Sequence, residues 1–149
     1  AIELCARLKT ARPEIALGAD LIAGFPTETE AHFASTLSSI EACQLAYVHA
    51  FPYSPRPGTP AARMPQLDRT VVKQRAARLR EAGASALRGH LEAWIGREAE
   101  ALVERKGFAR LGDFTGANFS PSPRGEGAGA GVKLRFTSHD GANLIGVAA

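Results

Sequence analysis

Ala19-Asp20-Leu21-Ile22-Ala23-Gly24-Phe25-Pro26-Thr27-Glu28-Thr29-Glu30 is the stretch that decides the fold. An apolar run stops at Gly-Phe-Pro, and Thr27 three residues before Glu30 forms a capping box, so a strand hands over to a helix. Phe33, Leu37 and Ile40 follow at spacings of four and three, one stripe for docking on a sheet. Leu45 to Phe51 reads as the next strand. Strand, helix, strand predicts a right-handed crossover between parallel strands. Ile15 to Ala23 shows little polar alternation, which predicts burial on both faces. The second strand runs into His49-Ala50-Phe51-Pro52-Tyr53-Ser54-Pro55-Arg56-Pro57-Gly58-Thr59-Pro60, and the five prolines of residues 52–67 require a loop. Ligands of parallel α/β folds gather at the carboxyl ends of strands, so these two loops hold the candidate site.

Outward from this unit, residues 2–12 read as a helix closed by Pro13. Asp68 is placed to cap a long helix reaching about Ile95, which Gly83 and Gly89 each weaken by roughly 1 kcal/mol relative to Ala. The texture changes near residue 96. Glu98 to Arg105 alternates apolar with charged residues, and Phe108 to Phe114, Val132 to Thr137 and Asn143 to Val147 read as short strands. His139-Asp140-Gly141 is a hairpin-like turn, and the Ser, Pro and Gly of residues 120–131 predict a mobile loop. Four or five short strands in this length suggest a small closed barrel. The reading is an α/β chain of two domains, 1–95 and 96–149.

The 149 residues are 45% hydrophobic, enough for a core, and no apolar run is long enough to span a membrane. The net charge of +3 hides a gradient: residues 1–55 carry −3 and residues 56–110 carry +6. Arg69, Lys73, Arg75, Arg78, Arg80, Arg88, Arg105, Lys106 and Arg110 concentrate the positive charge, which would attract a polyanion such as RNA. A solvated helix face would have the same composition. Cys5 and Cys43 stand apart in sequence with no cysteine neighbour, as expected of buried free thiols in a cytosolic protein. The chain opens at Ala1 inside a predicted helix, without a signal-peptide pattern, which is expected of a piece of a longer or processed protein.

The two quoted segments resemble the last part of the radical S-adenosylmethionine barrel of the methylthiotransferases, which add methylthio groups to tRNA bases or, in one branch, to a ribosomal protein. The resemblance implies that Ile22 and Gly24 flank the adenine of S-adenosylmethionine. Gly24 would let a flat ring approach the backbone, and Ile22 would give an apolar platform. Backbone groups around Phe51 would face the adenine, and Arg56 suits an anion, either the cofactor carboxylate or an RNA phosphate. Arg56 could instead bond loop carbonyls, and Tyr53 could stack on a base or simply pack. Gly96-Arg97, Ala101-Leu102-Val103-Glu104 and His139 to Gly146 are similar to the TRAM domain, a small RNA-binding β-barrel. Lys106, Arg110, Lys133, Arg135 and Phe136 are its candidate RNA contacts. The form His-x-Phe-Pro-Tyr-Ser with Ala-Ala-Arg-Met-Pro is most similar to the branch acting on threonylcarbamoyladenosine beside the tRNA anticodon.

What the resemblance implies exceeds what the chain contains. The reaction needs 4Fe–4S clusters, each held by three cysteine thiolates, and two cysteines cannot supply them. The expectation is therefore the C-terminal part of a cytoplasmic tRNA methylthiotransferase, inactive by itself and completed by the N-terminal part of the same enzyme. A stand-alone RNA-binding module, the isopentenyladenosine or ribosomal-protein branch, and a remnant without function are the alternatives.

Overall fold

In a computed structural model of the chain, residues 1–120 and 127–149 are described. They form two compact units, Ala1–Ala11 with Leu17–Ala86, and Arg12–Ala16 with Leu87–Ala149. Among the described residues no helix is long and apolar enough to cross a membrane.

The first unit contains α1 (Ile2–Ala11), β1 (Leu17–Ala23), α2 (Glu30–Ala42), β2 (Leu45–Pro52) and most of α3 (Arg69–Glu92). β1 and β2 pair in parallel, with Asp20 opposite His49 and Ile22 opposite Phe51. Ala23, Phe33, Ile40, Ala76 and Leu79 form the core, with Leu21, Leu45, Val48 and Ala50 packed against it. The expected burial of both strand faces is corrected: Gly18, Asp20 and Ile22 are exposed in alternation with their neighbours. The helices cover one face of the pair, and the other lies open.

The cap of α2 is also corrected. Thr29, not Thr27, accepts the amide of His32 at 3.1 Å, and His32 Nδ1 accepts the Thr29 amide in return. Glu28 is drawn instead into the turn, where its carboxylate accepts the Gly24 N–H at 2.8 Å. Asp68 does cap α3, accepting the Thr70 amide at 2.7 Å. Gly83 does not break that helix. A Cβ there would stand 2.9 Å from the Val48 Cβ, so glycine lets α3 lie directly on β2.

In the second unit β3 (Glu98–Arg105), β4 (Phe108–Leu111), β5 (Gly116–Phe119), β6 (Gly131–His139) and β7 (Leu144–Ala148) close a barrel in the order β3-β4-β5-β7-β6. Every pairing is antiparallel except β5 with β7. Val103, Ala109, Leu111, Ala117, Leu134, Phe136 and Leu144 fill it, with Leu91 and Trp94 in the same core. The strand expected over Phe108 to Phe114 ends at Leu111: the chain turns at Gly112-Asp113, Phe114 takes a left-handed φ of 68°, and β5, which the sequence did not suggest, begins at Gly116. Of the loop expected over residues 120–131, Ala128-Gly129 is a turn and Gly131 already belongs to β6, while residues 121–126 lie outside the described residues.

A polar group sits beneath this core. His90 Nε2 lies 2.8 Å from Thr115 Oγ1 and 3.3 Å from Asp113 Oδ2, and the Thr115 N–H donates to Asp113 Oδ1 at 2.9 Å. Burial pushes the Asp113 carboxyl up, but the His90 ring and the Thr115 hydrogen bonds outweigh it, leaving the group below its ordinary range.

Candidate nucleotide-binding groove and barrel surface

The open face of the β1–β2 pair is the floor of a 600 Å³ groove lined by Asp20, Ile22, Phe51, Tyr53, Arg56 and Thr59, among others. Ile22 and Phe51 are side by side in register and 55% and 50% exposed. Two large apolar side chains left half in water are available to a ligand, since covering the exposed half of each is worth about 1–1.5 kcal/mol. The wall is the loop after β2. The Thr59 amide and hydroxyl both donate to the Arg56 carbonyl, at 3.2 and 2.8 Å, closing a turn with Gly58 at φ 85°. That turn holds Arg56 at the groove, where its exposed side chain has no carboxylate partner among the described residues.

Gly24 is brought to the same strand end but on other terms. It is buried at φ 85°, and a Cβ would meet the Val72 side chain at 2.7 Å. Glycine is therefore required there by α3, independently of any ligand. The turn it makes is fastened from below: Arg75 Nη1 donates to both the carbonyl and the carboxylate of Glu28 at 2.8 Å. Both side chains of this pair are under 10% exposed. Arg78 bonds Glu30 at 2.7 Å and lies over the Phe33 ring at 4.7 Å. Two of the cations in the basic helix thus serve the fold.

Asp20 was assigned nothing in the sequence, yet it lines the groove two residues before Ile22. The period of two along a strand puts both on one face, a signal masked by the expectation that both faces were buried.

On the barrel the RNA candidates separate. Phe136 is corrected: it is 1% exposed, edge-on to Trp94 at 5.6 Å in the core. Arg110 bonds both oxygens of Glu104 at 2.6 and 3.1 Å, and Lys133 pairs with Glu98 at 2.8 Å. Hydrogen bonding to Glu98 raises the Lys133 ammonium above its usual range. Lys106 and Arg135 are exposed.

The fit to an iron–sulfur cluster fails in this chain. Cys5 and Cys43 are free, and burial, then the hydrogen-bonded Cys5 thiol, push the Cys43 thiol up, away from the thiolate a metal needs. Among the described residues no group of three or more His, Cys, Asp or Glu side chains is gathered.

The βαβ unit carries a ligand-sized groove on its open face, and a small closed β-barrel follows it in the chain. Comparison with known proteins adds the family: the chain is homologous to the tRNA methylthiotransferases over about three-quarters of its length. It is 46% identical over 113 residues to the threonylcarbamoyladenosine tRNA methylthiotransferase of Rickettsia prowazekii, covering 76% of this chain and 27% of that protein. It is 43% identical over 107 residues to the tRNA-2-methylthio-N(6)-dimethylallyladenosine synthase of Sphingopyxis alaskensis, and 44% over 111 residues to that of Frankia alni. These cover 71% and 74% of this chain, and 24% and 22% of the relatives. The chain spans about a quarter of the length of the relatives it matches. No family model matches it.

Proposed function

We propose that this chain is the C-terminal part of a tRNA methylthiotransferase, and that the groove over Ile22 and Phe51 takes the adenosine of S-adenosylmethionine. When bound, that cofactor would supply a deoxyadenosyl radical, the electron for its cleavage coming from a cluster held outside this sequence. The observation carrying the reading is the paired exposure of Ile22 and Phe51 beside an Arg56 that has no carboxylate partner among the described residues. Ile22 and Phe51 give the base an apolar platform, the Gly24 turn ends the strand beside it, and Arg56 holds the cofactor carboxylate or an RNA phosphate. Cluster cysteines would come from residues outside this sequence, as would strands that extend the parallel pair. Localisation in the cytoplasm follows from a tRNA substrate.

The barrel is proposed to bind the tRNA anticodon stem-loop through Lys106 and Arg135. Arg110 and Lys133 would join by exchanging Glu104 and Glu98 for phosphate. Threonylcarbamoyladenosine is the favoured substrate base, supported by the match to the Rickettsia prowazekii enzyme, while the other relatives named above act in the dimethylallyladenosine branch. Calorimetric titration of S-adenosylmethionine into the full-length protein tests the groove. Arg56→Ala should weaken binding at least tenfold with an unchanged melting temperature, and wild-type affinity and turnover in that variant would remove Arg56 from the site.

A further inference from the structure

The first unit has a second hollow, of 500 Å³, between the loop after β2 and the start of α3. Pro52, Pro55, Leu67 and Val72 form apolar walls, and no acidic side chain lines it. Two independent observations point to a ligand. The Tyr53 hydroxyl is buried without a hydrogen-bond partner among the described residues, a loss that folding tolerates poorly. Tyr53 lines the hollow, and its ring is held edge-on by Phe25 at 5.4 Å. Arg69 and Lys73, one turn apart on α3, also line it, exposed and without carboxylate partners among the described residues. Nearby Arg75 and Arg78 show the contrast, since both are held by glutamates. Asp68, beside Arg69, is occupied in capping the helix.

We propose that this hollow holds one nucleotide of a single-stranded RNA segment, with its phosphate between Arg69 and Lys73. The base or ribose lies on the proline and valine walls, and a small shift of the Tyr53 ring brings its buried, unpartnered hydroxyl to the ligand. Two cations at the rim of an apolar hollow suit a ligand with an anionic end and a flat, weakly polar body, and a volume of this size is ordinary for a small-ligand site. The inference rests on the reading of the chain as part of a tRNA-modifying enzyme and adds a place where its RNA is gripped.

The test is fluorescence anisotropy of a labelled anticodon stem-loop RNA with the full-length protein, at several salt concentrations. Arg69→Ala with Lys73→Ala should weaken binding about tenfold or more and reduce the log–log salt slope by about 0.7, the value for one single-strand phosphate contact. Lys9→Ala, on α1, should leave both unchanged. Tyr53→Phe should weaken binding a few-fold. If it instead raises the melting temperature and leaves affinity unchanged, the hydroxyl meets no RNA and the proposal falls. Wild-type binding with unaltered affinity and slope in the double variant overturns the site while leaving the enzyme reading intact. Absence of RNA binding by the wild-type protein overturns both.

Discussion

The two sheets of this molecule solve the same problem differently. The barrel closes on itself, so every strand has two neighbours and its inward residues, from Val103 to Leu144, are almost wholly buried. The parallel pair is open. Among the described residues β1 and β2 pair only with each other, and six of their fifteen residues are exposed. Parallel sheets ordinarily have both faces covered and extend over several strands. The barrel is a finished object, whereas the βαβ unit has the surface of something that continues. That difference supports the proposal of a chain completed by further strands, with the proposed cofactor groove on the open side.

Core substitutions sharpen the comparison most. Phe136→Ala should cost the barrel about 3–5 kcal/mol in denaturant unfolding, while Phe51→Ala on the open sheet should cost less than about 1 kcal/mol. Equal losses would break the distinction between closed and open sheets.

Next comes the fastening of the groove's turn. Arg75→Ala leaves Glu28 buried without its cation and should destabilise the first unit by about 3 kcal/mol, with Arg75→Met paired to Glu28→Gln recovering part of it. Gly24→Ala forces a left-handed alanine against Val72 and should cost about 1–2 kcal/mol. An unaffected melting temperature in either variant would show that the turn is not held as described.

The smallest effect is electrostatic and belongs to the barrel. The Asp113 carboxyl is depressed in the folded state, so its contribution is present above the ordinary aspartate value of about 3.9 and is lost as pH falls through the lower folded value. Barrel stability should decline in acid below about pH 4, and Asp113→Asn should flatten that decline. A variant with the wild-type acid profile would contradict the assignment.

Much of this was legible in the sequence, for reasons that can be named. The Gly-Phe-Pro turn and the 3.6-residue stripe of α2 are local signals, and they located the crossover correctly. The alternation of Glu98 to Arg105 likewise announced a strand with one wet face. The failures were tertiary. Continuous apolar character in β1 does not say whether a second layer exists, so the open face and Asp20 were missed. Thr27 and Thr29 compete for one cap, and Glu28 decided it by turning toward Arg75, 47 residues away. Phe136 alternates with Arg135 on a strand, and only barrel closure tells which of them faces inward. Arg110 and Lys133 looked available because their glutamates sit on other strands.

The central claim is that this chain is part of a longer enzyme, and the size of the native polypeptide tests it most directly. Antibody against the barrel, followed by intact mass measurement of the captured protein, should give a species several times heavier than 15.7 kDa, carrying additional cysteines able to hold clusters. A captured protein of about 15.7 kDa would contradict the account, because two cysteines and a two-stranded sheet would then be all the protein has.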